Sequence, residues 1–88
     1  MIAATTDFWQ TFYIEVGEEM ERADAKYGPM PDERDGLHTI KCELAELERA
    51  ISCDHDRDAK RKEAVQVAAM AFKFLRDCVY GRPNDFRN

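Results

Sequence analysis

The chain has 88 residues, of which 44% are apolar and 35% charged, and its formal charge is −5. That composition describes one small globular domain and excludes collagen-like and disordered classes. The acidic balance argues against a general nucleic-acid binder, which carries a basic stripe, but leaves room for a nucleotide held through a metal ion.

The pattern predicts three helices and no strand. The first is expected to open near Thr6 or Asp7, whose side chains can cap orphan N–H groups. Phe8, Phe12, Val16, Met20, Ala23 and Tyr27 then recur at helical spacing. Gly28 supplies a C-terminal stop and Pro29 forbids continuation. Gly17 stands mid-helix, where it marks either a close helix contact or a slight bend.

Residues 28–36, with Pro29 and Pro31, are expected to form a loop, and Asp35 to cap the second helix. Leu37, Ile40, Leu44, Leu47 and Ile51 alternate three and four residues apart, the narrow stripe of a bundle helix. Asp54, Asp56 and Asp58 cluster before the third helix, where negative charge favours an N-terminus. That helix should run to about Tyr80, with Gly81 and Pro83 stopping it. Ala64, Ala68, Ala71, Leu75 and Cys78 form the middle of its apolar face, widened by Val65, Phe72 and Val79 on one side and by Val67 and Phe74 on the other. Such a face covers about half the circumference, more than one neighbour can bury. It is therefore expected to be the central helix, touching its own chain and a second subunit. The fold expected is all-α: a three-helix chain over residues 1–81 forming a bundle completed by oligomerisation, a dimer or a tetramer, with a polar tail over 82–88.

Cys42, Cys53 and Cys78 are odd in number and include no Cys-x-x-Cys step, which argues against a disulfide framework or zinc site. Three unpaired thiols fit a reducing cytoplasm, and no window is long and apolar enough for a membrane span. The first residues lack a basic stretch followed by an apolar run, so no secretory signal is expected.

The chemistry sits in two acidic steps. Glu43 and Glu46 on the second helix, and Glu63 and Gln66 on the third, are each three residues apart, so each pair shares a helix face about 60° wide. Both pairs flank an apolar stripe, so packing the helices can bring them to one spot. Carboxylates converging there repel one another, and a hard cation such as Mg²⁺ relieves the repulsion. Lys60, Arg61, Lys62 and Lys73 can meet phosphate oxygens, with Lys41 a further candidate. The plain alternative is a solvated surface carrying Glu46–Arg49 or Glu63–Lys60 pairs. His38 and His55 stand without a catalytic partner, and Trp9 and Tyr13 are as suited to covering a core as to stacking on a base.

The runs Glu43-Leu44-Ala45-Glu46-Leu47 and Lys62-Glu63-Ala64-Val65-Gln66-Val67-Ala68-Ala69-Met70-Ala71 resemble the MazG-like all-α nucleoside triphosphate pyrophosphatases. Glu21-Arg22-Ala23 and Lys26-Tyr27-Gly28-Pro29-Met30-Pro31 resemble small bacterial and phage members, and the likeness spans residues 12–78. It implies a subunit-built helical bundle that holds Mg²⁺, or Mn²⁺ in its place, and cleaves a (d)NTP to the monophosphate and pyrophosphate. By position, Glu43, Glu46 and Glu63 match metal-site acids. Gln66 stands where the fuller pattern has Asp, so the site has one charge fewer. On this resemblance Glu46 orients and deprotonates water, Lys62 or Lys73 steadies pyrophosphate, and Trp9, Phe12 or Tyr13 stacks on the base. The setting implied is the cytoplasm of a bacterium or of a phage-infected host. The rival reading is a nucleotide-binding or sequestering protein with weakened catalysis, and a third is a purely structural interaction protein.

Overall fold

The computed structural model describes residues 2–54 and 56–81; the tail expected over 82–88 lies outside them, as does His55. Helix α1 spans Ile2–Tyr27, α2 spans Glu33–Arg49 and α3 spans Arg57–Phe74. Two wide π-helical turns, Ala50–Asp54 and Leu75–Tyr80, extend α2 and α3. No strand occurs among the described residues. Among the described residues, no helix is long and apolar enough to cross a membrane.

Two boundaries differ from expectation. Helix α1 begins at Ile2, ahead of Thr6 and Asp7. The cap of α2 is Asp32 and not Asp35: Asp32 is extended (φ −159°, ψ 173°), and its Oδ1 accepts the Asp35 N–H at 2.8 Å. Asp35 thus sits inside the first turn as the residue being capped, where its charge also favours the helix N-terminus. Gly36, expected in the loop, is a buried residue of α2. A Cβ there would stand 2.8 Å from Phe74 Cδ2 and 3.0 Å from Met30 Sδ, so the glycine lets α2 lie close against α3 and the 28–31 loop. Asp56 caps α3 through Asp58 N–H, within the acidic cluster expected there. Gly28 (φ 75°) ends α1, its N–H donating to Asp24 O at 2.8 Å.

Helix α3 is central. It packs on α1 along one side and on α2 along another, while α1 and α2 hardly touch. The core is Val16, Ala23, Met30, Ala69 and Met70, rimmed by Phe12, Met20, Ile40, Val65, Ala68, Phe74 and Cys78. The buried line of α3 is only partly the one its apolar residues mark: Val65, Ala68, Phe74 and Cys78 pack on the core, but the deepest positions lie elsewhere. Ala69, Met70, Lys73 and Asp77 are buried, whereas Ala64, Ala71, Phe72, Leu75 and Val79 are exposed. Lys73 and Asp77 can face inward because each finds partners of opposite charge, which hydrophobic periodicity alone does not register. The molecule measures 40 × 33 × 20 Å. Its thinnest dimension is about two helix diameters.

Candidate functional site

Because α1 and α2 flank α3 without meeting, they leave a groove of about 550 Å³ between them. Its floor is α3, through Lys62, Gln66, Met70 and Lys73. One wall is the end of α1, through Arg22, Lys26 and Tyr27, and the other is α2, through His38, Thr39, Cys42 and Glu43; Pro29, Met30 and Pro31 close one end.

The two acidic steps meet at the rim. Gln66 on α3 bridges the helices: with its amide nitrogen turned to the acids, it donates to Glu63 Oε1 at 2.8 Å and to Glu43 Oε1 at 2.9 Å. Glu43 is half-buried, and its carboxyl is held above the usual range by burial first, then by the charges of Glu63 and Glu46. Glu43, Glu63 and Gln66 are thus in contact or one bond apart, and Glu46 is close enough to be felt. Glu46 itself points outward, exposed, and accepts from Arg49 Nη1 at 2.7 Å, as the solvated-surface alternative expected for that pair.

Among the described residues no three His, Cys, Asp or Glu side chains stand as a ready metal shell. The donor chemistry nonetheless suits a hard divalent cation. Every candidate atom is an oxygen, three of the four groups are carboxylates, and Glu43 carries a charge that its surroundings penalise. Gln66 matters in both directions. Its N–H groups partly satisfy two carboxylates without metal, and its Oε1 becomes a neutral ligand if the amide turns over.

The expected phosphate ligands separate. Lys62 is exposed and lines the groove. Lys73 borders the same groove from below but is only 2% exposed, with its Nζ 2.5 Å from Asp24 Oδ1 and 2.9 Å from Gly28 O. It is one member of an ion cluster that the sequence reading missed. Arg76 grips Asp24 with two bonds of 2.9 Å and also donates to Asp77 at 2.7 and 3.1 Å. Asp77 Oδ2 accepts the Met30 N–H at 2.9 Å, so the cluster ties α1, α3 and the 28–31 loop together. The Arg76 bond holds the Asp24 carboxyl down at about 2, against the opposing effect of burial, and Lys73 adds to the lowering. Burial pushes Asp77 upward, but its bonds from Arg76 and the Met30 N–H outweigh that and leave it low. Arg61, another basic candidate, is held by Glu15, with Nε to Oε1 at 3.0 Å.

The expected base-stacking residues do not reach the groove. Trp9, Phe12 and Tyr13 interlock with Phe8 at ring separations of 5.2–6.3 Å, and Phe12 meets Phe72 at 6.0 Å. Phe12 and Tyr13 instead border a separate apolar hollow of about 440 Å³ with Val16, Phe72 and Leu75. The aromatic groups that do line the groove are Tyr27, 74% exposed, and His38. Tyr27 shares the helical spacing of the apolar positions of α1, but its place beside the helix-ending Gly28 puts it at the mouth of the loop.

His38 stands in the same groove. It is not alone: Cys42, one turn on, lies with Sγ 3.5 Å from His38 Nε2. The spacing of four residues on one helix was the available signal. All three cysteines are free thiols, Cys42 and Cys53 exposed and Cys78 half-buried. Compared with protein-family models, curated proteins and solved structures, the chain matches none.

Proposed function

We propose that this chain is a Mg²⁺-dependent nucleoside triphosphate pyrophosphohydrolase, taking a (d)NTP to the monophosphate and pyrophosphate. The observation that carries the reading is the Gln66 bridge between Glu43 and Glu63, which brings acids from two helices to the rim of a groove of nucleotide size. Glu43, Glu63 and the Gln66 carbonyl oxygen are the residues to hold the cation, with Glu46 beside them. When bound, Mg²⁺ neutralises phosphate charge and polarises the α-phosphorus.

The remaining roles belong to this chain's own side chains. Glu46 orients a water and takes its proton as the water oxygen bonds to the α-phosphorus and the bond to the bridging oxygen breaks. Its pairing with Arg49 is a weak obstacle, because an exposed pair contributes roughly 0–1 kcal/mol. Lys62 meets the departing pyrophosphate, while Lys73 acts through the fold, holding Asp24 and the end of α1. Tyr27 and His38, as the groove's aromatic groups, replace Trp9, Phe12 and Tyr13 as the surfaces offered to the base. Away from the groove, the aromatic cluster of Phe8, Trp9, Tyr13 and Phe72, all exposed, supports a second subunit covering it.

The test is a panel of NTPs and dNTPs with Mg²⁺, read as pyrophosphate and monophosphate, with Glu43→Ala beside the native chain. Release that the variant loses supports the enzyme. Saturable nucleotide binding without product supports the second reading, a nucleotide-sequestering protein. The Gln66 bridge favours that second reading too, since an amide quiets two acids that would otherwise demand metal. Gln66→Asp separates the two, because restoring the fourth acid should raise Mg²⁺ affinity and create or increase turnover.

A further inference from the structure

Pro29 and Pro31 leave Met30 as the only residue between Gly28 and Asp32 with a backbone N–H to donate. Asp77 takes it: Oδ2 accepts the Met30 N–H at 2.9 Å, from 47 residues further along the chain. The Asp77 side chain is fully buried and does not border the groove, whereas Tyr27, Met30 and both prolines do. Two further bonds anchor the start of the loop. The Gly28 N–H donates to Asp24 O at 2.8 Å, and Gly28 O accepts from Lys73 Nζ at 2.9 Å. Arg76 fixes Asp77 in turn, from Nε to Oδ1 at 2.7 Å and from Nη2 to Oδ2 at 3.1 Å. All three backbone anchors of the loop therefore end on members of one ion cluster. The Met30 side chain is itself in the core, 5% exposed, so the loop stays attached without the Asp77 bond. What that bond adds is position.

We propose that Asp77 is a positioning residue for the groove: by taking the one N–H that Pro29-Met30-Pro31 offers, it holds the end loop, and Tyr27 beside it, where a ligand's base meets them. Asp77 itself never touches the ligand. Tyr27 is 74% exposed, so little packing fixes its ring and the neighbouring backbone decides where it stands. A carboxylate suits the task, because a hydrogen bond to a charged acceptor is stronger than one to a neutral acceptor. The groups assigned to metal and phosphate, Glu43, Glu46, Glu63, Gln66 and Lys62, sit on α2 and α3 outside this loop. Losing the Asp77 bond therefore weakens ligand binding and leaves the chemical step alone. The consequence for a ligand rests on the nucleotide reading, whereas the holding of the loop does not.

The experiment compares the full chain with Asp77→Ala and Asp77→Asn. Amide hydrogen exchange is followed by NMR at Met30, with Ala69 in the core of α3 as the reference for general loosening. Asp77→Ala should speed Met30 exchange about ten- to a hundredfold relative to Ala69, the scale of a lost bond to a charged acceptor. Asp77→Asn still presents an oxygen to the Met30 N–H and should recover most of that protection. In the NTP assay with Mg²⁺, Asp77→Ala should raise KM several-fold with kcat unchanged, and Asp77→Asn should bring KM back toward the native value. If the chain binds nucleotide without turnover, Kd takes the place of KM. A merely structural role would lower the folded fraction, and so the apparent kcat, at constant KM. That outcome, Met30 exchange rising no more than that of Ala69, or an Asp77→Asn chain no better than Asp77→Ala overturns the proposal. If the native chain neither binds nor turns over nucleotide, the hydrolase reading fails and the ligand consequence fails with it. Met30 exchange then still decides whether Asp77 holds the loop.

Discussion

Two charged clusters occupy this small molecule, and they are built on opposite principles. Asp24, Lys73, Arg76 and Asp77 contain two acids and two bases, with both carboxyls held low by bonds to cations or N–H groups. Glu43 and Glu63 meet with only the Gln66 amide between them, and burial and the charges of Glu63 and Glu46 hold Glu43 high. The first cluster is complete within the chain and explains how a lysine can be 2% exposed. In the second, Glu43 and Glu63 have no cation among the partners that hold them, so their negative charge stands unbalanced beside the groove. Balance marks the structural cluster, and imbalance marks the functional candidate.

The largest effect that would test this contrast is removal of Lys73. Lys73→Met leaves Asp24 short of one partner and the Gly28 carbonyl unsatisfied, and should cost roughly 3 kcal/mol, the lower end for breaking a buried pair, because Arg76 still holds Asp24. Urea unfolding measures it; a change below about 1 kcal/mol, the scale of an ordinary surface pair, would deny the cluster its structural role. Next comes Gly36→Ala, whose Cβ meets Phe74 and Met30 and should cost about 1–3 kcal/mol by overpacking. This sharpens the comparison by loosening the loop end of the groove while leaving both clusters chemically intact.

Acidification should move the clusters in opposite directions. Asp24 is depressed, so its contribution is present above the unfolded carboxyl value of about 3.9 and is lost as pH falls toward about 2. Glu43 is raised, so its protonation adds stability, fully present below the unfolded value and lost as pH rises through the folded one. Glu43→Gln should therefore raise the melting temperature at pH 7 without metal and remove the gain on mild acidification. Thermal unfolding between pH 7 and pH 4 reads both, and a lower melting temperature for the variant would break the argument from imbalance. The smallest change is Gly17→Ala. Nothing lies within 4 Å of the Cβ position, so neither a close contact nor a clash opposes the substitution, and it should add about 1 kcal/mol from helix propensity.

What could be read in advance follows the range of the interactions. The three helices, the Gly28 stop, the Glu46–Arg49 pair and the convergence of Glu43, Glu63 and Gln66 depend on helical spacing plus one packing step between neighbouring helices. Lys73 was read as a phosphate ligand because its partner Asp24 is 49 residues away and leaves no local trace. The same blindness turned the face of α3: its alanine and leucine stripe looked inward, but paired charges at Lys73 and Asp77 occupy that side. Trp9, Phe12 and Tyr13 were sent to the base pocket as aromatic residues, yet chain position cannot say which side of α1 meets the groove and which meets Phe72. The His38–Cys42 contact, by contrast, follows from a four-residue step on one helix and is legible from spacing.

The most direct test of the central claim is a calorimetric titration of Mg²⁺ into the native chain at pH 7.5, repeated with Glu43→Gln and with Lys62→Ala. The account predicts saturable binding that Glu43→Gln abolishes and Lys62→Ala leaves intact, since Lys62 serves phosphate and not metal. Absence of binding to the folded native chain, or binding that persists unchanged in Glu43→Gln, would contradict it.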